Sequence, residues 1–236
     1  MRPNWNPLFL CLLFTILLPA GAFAQRGPYW MWEPEFSYTR KLGERWSANG
    51  KVAVQQTFNE PAGEDEEARS RYQINYTMVQ LFGTYNLRPG TQLTGGYAFR
   101  FNDLLDAEPG REHRIMEQLT FLKYLGGIRL THRFRAEQRF QDQSYTNRWR
   151  YRFAYEIPLQ GDRLDPGEQY LITSNEVLLS FNAHERSGAN RLYLGVGWYF
   201  SKERKLEAGV QYRLNDIGTG ELENAIWFTT AYYLNR

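Results

Sequence analysis

Two neighbouring segments of the chain carry arginine at nearly every second position. The first lies within residues 128–140 and the second within residues 147–159; together they contribute Arg129, Arg133, Arg135, Arg139, Arg148, Arg150 and Arg152. A planar guanidinium binds carboxylate or phosphate through two parallel hydrogen bonds. The spacing therefore predicts a surface that attracts anions, provided that these side chains face the same way.

Acidic residues occur at matching positions among these arginines. Glu137 lies in the first row, Glu156 closes the second, Glu176 follows on the next segment, and Arg191 and Arg213 add further cations downstream. Two interpretations remain open. Free guanidiniums would line an anion-attracting pore or a pocket for phosphate or carboxylate groups. Guanidiniums paired with glutamates would instead form a structural network that fills a narrow lumen.

The segment that carries the second arginine row has the two-residue period of a β-strand. Trp149, Tyr151 and Phe153 fall on one parity, and the arginines fall on the other. Successive side chains of a strand point to opposite faces, so this strand has one apolar, aromatic face and one cationic face. The same alternation recurs about eleven times between residues 30 and 234, mostly in segments of about 10–14 residues.

Two places in this pattern are less regular. In residues 71–78 the apolar parity carries Tyr76 and Met78, which are therefore expected on the apolar face. In residues 111–124 Glu117 falls on the apolar parity. A β-bulge or a position at the edge of a membrane would explain that glutamate.

The N-terminus has the features of an export signal. Arg2 supplies a positive charge, residues 8–18 are apolar, and Ala22-Phe-Ala24 is a small-x-small cleavage site. We expect a cleaved signal peptide over residues 1–24 and one domain over residues 25–236. Cys11 is the only cysteine, so the mature chain would have no disulfide and no cysteine-based metal site. Downstream, no apolar run approaches the roughly 20 residues that a spanning helix needs.

Strand number and strand length favour a membrane barrel over a soluble β-protein. About eight strands enclose a lumen that side chains can fill, whereas more strands around an apolar interior would leave a dry cavity. A sandwich would usually have shorter strands. Aromatic residues near predicted strand ends suit interfacial girdles; they are Trp30, Trp46, Trp149, Trp198 and Tyr232. We therefore predict an all-β, antiparallel, up-and-down transmembrane β-barrel.

The strand number is predicted from the rule that bacterial outer-membrane barrels have even numbers of strands. Eleven signals break this rule, so we expect twelve strands, with one hidden in 69–87 or 102–118, and ten as the alternative. Counting back from the C-terminus places the tight turns in the periplasm and the longer links outside the cell. The longer links are 60–68, 102–110, 142–146, 183–189 and 216–221.

The chain resembles an uncharacterised bacterial family, domain of unknown function 2490. The resemblance rests on Arg-Ala-Glu-Gln-Arg-Phe at 135–140, Asn-Arg-Trp-Arg-Tyr-Arg at 147–152, Asn-Glu at 175–176, and Asn-Arg-Leu-Tyr-Leu-Gly-Val-Gly at 190–197. It covers roughly residues 29–235. It implies an exported outer-membrane barrel of a Gram-negative bacterium and implies no activity. The chain departs from typical barrel assembly signals because it lacks a terminal aromatic residue.

Several function classes are disfavoured by the sequence. The net charge of +2 argues against a nucleic-acid partner. His113 and His132 fall on the apolar parity, and only Ser187 lies close to the loop residue His184, so we do not expect an enzyme. No metal-ligand spacing and no phosphate-binding glycine loop is present, so no metal or cofactor is expected. Gly195 and Gly197 are expected to relieve crowding inside the barrel.

Three functions remain: a narrow channel for small, anionic solutes, a structural or interaction barrel with a plugged bore, and a lipid-modifying enzyme, which is the least favoured. The expected partners are the bilayer, lipopolysaccharide, the barrel-assembly machinery during biogenesis, and small solutes. An acidic cluster within residues 60–67 either binds divalent cations at the lipopolysaccharide surface or is a solvated loop. The oligomeric state is not predicted.

Overall fold

The fold is a single closed β-barrel of eleven strands. The computed structural model describes residues 29–59, 73–102, 110–141, 144–219 and 222–236. The strands are β1 (Tyr29–Lys41), β2 (Trp46–Asn59), β3 (Gln73–Arg88), β4 (Thr91–Asn102), β5 (Arg111–Leu125), β6 (Ile128–Gln141), β7 (Ser144–Pro158), β8 (Glu168–Phe181), β9 (Arg186–Ser201), β10 (Arg204–Ile217) and β11 (Glu223–Asn235). No helix in these described ranges is long and apolar enough to cross a membrane.

Every strand pairs antiparallel with its sequence neighbour, and the barrel closes where β1 pairs with β11 in parallel. Both sides of the first strand are thereby paired with a neighbouring strand, which leaves no open sheet edge. The predicted fold class is confirmed, with eleven strands in place of the expected twelve or ten. The parallel closure is the physical reason, because it lets an odd number of strands close. The stretch 73–88 forms one long strand and hides no second one.

The two ends of the barrel differ in their connections. One end, here called the turn end, carries the links 42–45, 89–90, 126–127, 159–167 and 202–203 together with the C-terminus. The other end, called the loop end, carries the remaining links and Tyr29. The predicted longer links therefore all belong to the same end. Residues 60–72, 103–109, 142–143 and 220–221 within these links lie outside the described residues, as do residues 1–28.

The outward face is apolar and aromatic along every strand. Its exposed side chains include Phe36, Val52, Leu81, Ile115, Phe134, Trp149, Val177, Leu194, Val210 and Phe228. Several polar groups on this face find partners: Trp32 Nε1 donates to Thr230 Oγ1 at 3.2 Å, and the amides of Asn175 and Asn190 donate to each other. The outward parity of His113 and His132 is confirmed, since they contact the ring of Phe99 and the ring of Phe153.

Glu117 lies in the middle of β5 and is exposed on the outward face. The registers of β5 with β4 and with β6 run unbroken past it, opposite Gly95 and Ala136. The proposed β-bulge is therefore wrong. Small neighbours leave the carboxylate uncovered on this part of the face.

Tyr76 and Met78 face the lumen, so the outward placement expected for them is wrong. Tyr76 is buried, and its hydroxyl donates to Glu33 of β1. The outward parity of β3 is instead carried by residues such as Val79 and Leu81. A polar partner inside the barrel and a guanidinium over the ring explain why this aromatic side chain belongs to the inner wall.

Glycines let aromatic rings lie flat against the inner wall, which confirms the role expected for Gly195 and Gly197. A Cβ at Gly197 would overlap the ring of Tyr170, and one at Gly195 would overlap the phenol of Tyr193. Gly96 makes the same room for Phe82. Gly197 and Gly96 therefore set the position of a bulky ring on a neighbouring strand, and Gly195 sets that of a ring on its own strand.

Replacing Gly197 with alanine is expected to destabilise the barrel by about 1–3 kcal/mol, because the methyl group overpacks a fully buried ring. Guanidinium unfolding followed by tryptophan fluorescence in detergent micelles measures this loss. Gly95→Ala is the matched control, since a Cβ at this strand glycine meets nothing within 4 Å. Equal stability of the two variants would show that the Tyr170 ring does not need the space above Gly197.

Candidate functional site

The two arginine rows lie side by side on the inner wall. β6 and β7 pair so that Arg133 is opposite Arg152 and Arg135 is opposite Arg150. Like charges placed directly opposite each other on a sheet repel. The wall is therefore stable only if carboxylates or bound anions lie between the guanidiniums.

Buried carboxylates supply part of this compensation. Arg150 donates through Nη1 to Glu137 Oε1 at 2.7 Å and through Nη2 to Glu176 Oε2 at 2.6 Å. Glu176 also accepts from Arg133 Nη2 at 2.8 Å, and Arg135 lies 3.5 Å from Glu137. Arg150 thus bridges two carboxylates from the strands on both sides of it. We call Arg133, Arg135, Glu137, Arg150 and Glu176 the central ion-pair network.

Two smaller groups flank the central network. Toward the loop end, the fully buried Glu112 accepts from Arg139 at 2.5 and 2.9 Å and from Arg114 at 2.5 Å. Toward the turn end, Arg129 Nη1 donates to both oxygens of Glu156 at 2.8 Å. Glu112 and Arg114 were not among the predicted site residues, although both lie on the polar parity of their strand. This part of the wall is the structural Arg–Glu network that was one of the two interpretations.

Four of the ten arginines that line the lumen from its middle to the loop end make no ion pair with a carboxylate of the described residues. They are Arg100, Arg148, Arg152 and Arg213, here called the spare arginines. Within the described part of the chain, Arg148 donates only to Ser180, at 2.8 Å. Arg191 resembles the spare arginines, because its ion-pair contact with the Glu176 carboxylate is 3.9 Å long. The wall therefore also has the free guanidiniums of the other interpretation.

A cavity of about 730 Å³ occupies the lumen from its middle to the loop end. Ten arginines and Lys51 line it, against five glutamates and Asp216. Ten of the twelve predicted site residues line this cavity, and all except Arg129 and Glu156 are among them. The cavity wall carries a surplus of positive charge, which attracts anions most strongly where low-dielectric walls focus the field.

A second cavity of about 290 Å³ lies at the turn end, and Arg129 and Glu156 line it. Glu207 links two tyrosines in the region between the two cavities. Its carboxylate accepts from the Tyr170 hydroxyl at 2.5 Å and from the Tyr233 hydroxyl at 3.1 Å. Tyr170 lines the smaller cavity and Tyr233 lines the larger one. The Tyr170–Glu207–Tyr233 bridge therefore lies between them, beside the buried Ile172 and Tyr193.

A family model described as a protein of unknown function, DUF2490, matches residues 29–224. The chain belongs to this family. The match includes both arginine rows, the bridge residues Tyr170 and Glu207, and ten complete strands. The expectation of an uncharacterised barrel family is thereby confirmed.

No curated protein matches the sequence of this DUF2490 member. Among solved structures, the siderophore receptor PirA from Pseudomonas aeruginosa is similar at 17% sequence identity with a TM-score of 0.31. The alignment covers 84% of this chain and 34% of the receptor, so the chain spans about a third of the length of that protein.

The DUF2490 barrel brings no catalytic constellation together among its described residues. His113 and His132 bond to the outward phenols of Tyr97 and Tyr151. His184 is held in its link through its backbone N–H, which donates to Asn182, while Ser187 lines the larger cavity. No group of three or more potential metal ligands occurs in the described part of the chain. The expected signal peptide and the acidic cluster of residues 60–67 lie outside the described residues.

Proposed function

We propose that this protein is a narrow channel for small anionic solutes in the outer membrane of a Gram-negative bacterium. The observation that carries the proposal is the surplus of guanidiniums on the wall of the larger cavity, where the spare arginines have no carboxylate partner. Rings of arginine or lysine are the usual means by which pores select anions. The central ion-pair network holds this wall in shape, and the spare arginines supply the charge.

The location is supported by the two faces of the barrel. The outward side chains are apolar and aromatic while the inner ones are charged, which is the reverse of a soluble barrel. The export signal expected over residues 1–24 is consistent with this location. The proposed partners are the bilayer, lipopolysaccharide and, during biogenesis, the barrel-assembly machinery. We propose no cofactor, no enzymatic activity and no nucleic-acid partner for this protein.

A structural or interaction barrel with a plugged bore is the second candidate. The Tyr170–Glu207–Tyr233 bridge favours it, because bulky rings occupy the region between the two cavities. Under this alternative the arginine wall only fills and stabilises the barrel.

Planar-bilayer recording of the purified barrel separates these two functions. The channel predicts discrete conductance steps at neutral pH in potassium chloride. A bilayer that stays silent, although the protein is inserted and folded by its heat-modifiable electrophoretic migration, would contradict the channel and leave the plugged barrel.

A further inference from the structure

We propose that the lumen contains a specific binding site for an oxyanion, either phosphate or carboxylate, formed by Arg100 of β4 and Arg213 of β10. The proposal deepens the proposed channel, since it names the class of solute that the cavity would take. The site lies on strands other than those of the central ion-pair network, and Arg213 is opposite Arg191 in the pairing of β9 with β10. Neither arginine has an ion-pair partner among the described carboxylates, and both line the larger cavity.

The two guanidiniums are held in fixed planes by aromatic rings. The guanidinium carbon of Arg213 lies 3.0 Å from the ring centroid of Trp227, and that of Arg100 lies 3.9 Å from the centroid of Tyr76. Stacking covers one face of each guanidinium and leaves its N–H edges to donate in the plane. The planes are therefore set before any ligand arrives.

The two stacked pairs belong to one cluster. Trp227 and Tyr76 belong to one buried cluster, together with Ala225 of β11. Tyr76 is itself fixed by its hydrogen bond to Glu33, and Arg213 is fixed by its hydrogen bond to Gln211. A rigid aromatic pair thus carries one guanidinium on each member. Preorganisation of this kind lowers the entropy cost of binding a ligand.

Buried donors around this cluster lack partners. Arg100 Nε, Arg191 Nε and Trp227 Nε1 are buried and donate to no described acceptor. A buried donor without a partner costs free energy, so a ligand that accepts from these groups is favoured. Arg150 Nε is also buried without a described partner, but the terminal nitrogens of Arg150 are already used by Glu137 and Glu176.

The geometry selects the class of ligand. Two coplanar oxygens accept two parallel bonds from one guanidinium edge, which a spherical halide cannot do. Phosphate and carboxylate groups share this chemistry. A cavity of about 730 Å³ admits a small organic solute that carries such a group.

Isothermal titration of inorganic phosphate, and separately of acetate, into the folded barrel in detergent micelles tests the site in a chloride buffer. We expect saturable binding of one ion per barrel. Arg213→Gln and Arg100→Gln should each weaken binding about ten-fold or more, since a charge-assisted bond contributes about 1.5–3 kcal/mol. Arg213→Lys keeps the charge but loses the planar fork, so it should also weaken binding.

Arg148→Gln is the matched control, because it removes a spare arginine of the same lumen from outside the cluster. Binding that falls equally in Arg148→Gln and Arg213→Gln, or that is unchanged in Arg213→Lys, would show a diffuse charge effect and overturn the site. Absence of saturable binding of either ion would overturn it too. Stronger binding of one ion identifies the group as phosphate or carboxylate.

This test is independent of conductance. A silent bilayer together with site-specific phosphate or acetate binding would remove the channel and retain the site. Conductance without saturable binding would retain the channel and remove the site. Trp227→Phe, which preserves a ring under Arg213, should bind nearly as the wild type does, whereas Trp227→Leu should weaken binding. Equal affinities for these two variants would contradict the stacked arrangement.

Discussion

The Arg150→Ala barrel is expected to lose about 3–5 kcal/mol of stability, which is the cost of removing one partner from a buried ion pair. Arg150 holds Glu137 and Glu176 at the same time, and the side chains of these glutamates are 0% and 6% exposed. Without Arg150, Glu137 retains only the 3.5 Å contact with Arg135. Guanidinium unfolding in detergent micelles, followed by tryptophan fluorescence, measures the loss.

Arg148→Ala is the control for Arg150→Ala. Arg148 lies on the same strand and the same face, but among the described residues it donates to the hydroxyl of Ser180, so its removal should cost about 1 kcal/mol. Adding Glu137→Gln to Arg150→Ala should restore part of the lost stability, because it removes the buried charge that keeps only the 3.5 Å contact with Arg135. If Arg148→Ala and Arg150→Ala were equally stable, the central ion-pair network would not be what holds this wall together.

The Tyr170→Ala barrel is expected to conduct more current than the wild type, on the order of several-fold, because it removes a bulky ring from a narrow pore. Tyr170 is fully buried, and it belongs to the bridge between the two cavities. Its removal would connect about 730 Å³ of lumen with about 290 Å³ at the turn end. Single-channel recording of both proteins under the same salt conditions measures the change.

Tyr170→Phe separates the ring from its hydrogen bond to Glu207. The variant keeps the volume, so its conductance should stay near that of the wild type if the ring obstructs the pore. A conductance that rises equally in both variants would show that the hydrogen bond, and not the ring, holds the bridge closed. Unchanged conductance in Tyr170→Ala would place the conducting path away from this residue.

The alternation of side chains was enough to predict the barrel and the inward direction of the arginine rows. Arg133, Arg150 and Glu176 all face the lumen, because parity depends only on position along each strand. Which side chains pair across neighbouring strands was harder to predict from the sequence. The choice of Arg150 as a bridge depends on registers β6–β7 and β7–β8, which no single strand encodes.

Inward aromatic residues were the main source of error. Tyr76 looked like part of an outward apolar face because hydrophobicity patterns treat a phenol as apolar. Inside this barrel its ring supports Arg100 and its hydroxyl bonds to Glu33. Trp227 supports Arg213 in the same way. A signal was present in the sequence, since both rings share the parity of polar neighbours on their own strands, Gln80 on β3 and Thr229 on β11.

The predicted number of strands relied on a rule about where the chain termini lie. The alternation of side chains carries no information about that rule. Eleven strand signals were visible in the sequence, and the structure has eleven strands. The even-number rule for bacterial barrels led to the expectation of twelve or ten. Parallel pairing between Tyr29–Thr39 and the last strand is a long-range contact, which no local pattern predicts.

The sign of the reversal potential across a bilayer that separates two potassium chloride concentrations is the most direct measurement of the central claim. The spare arginines predict that the wild-type barrel passes chloride in preference to potassium. The double variant Arg100→Gln/Arg213→Gln should shift the reversal potential toward zero, and Lys202→Gln, a charge removal in the turn-end link, should shift it much less. A cation-preferring wild type, or the same reversal potential in all three proteins, would contradict an arginine-lined anion channel.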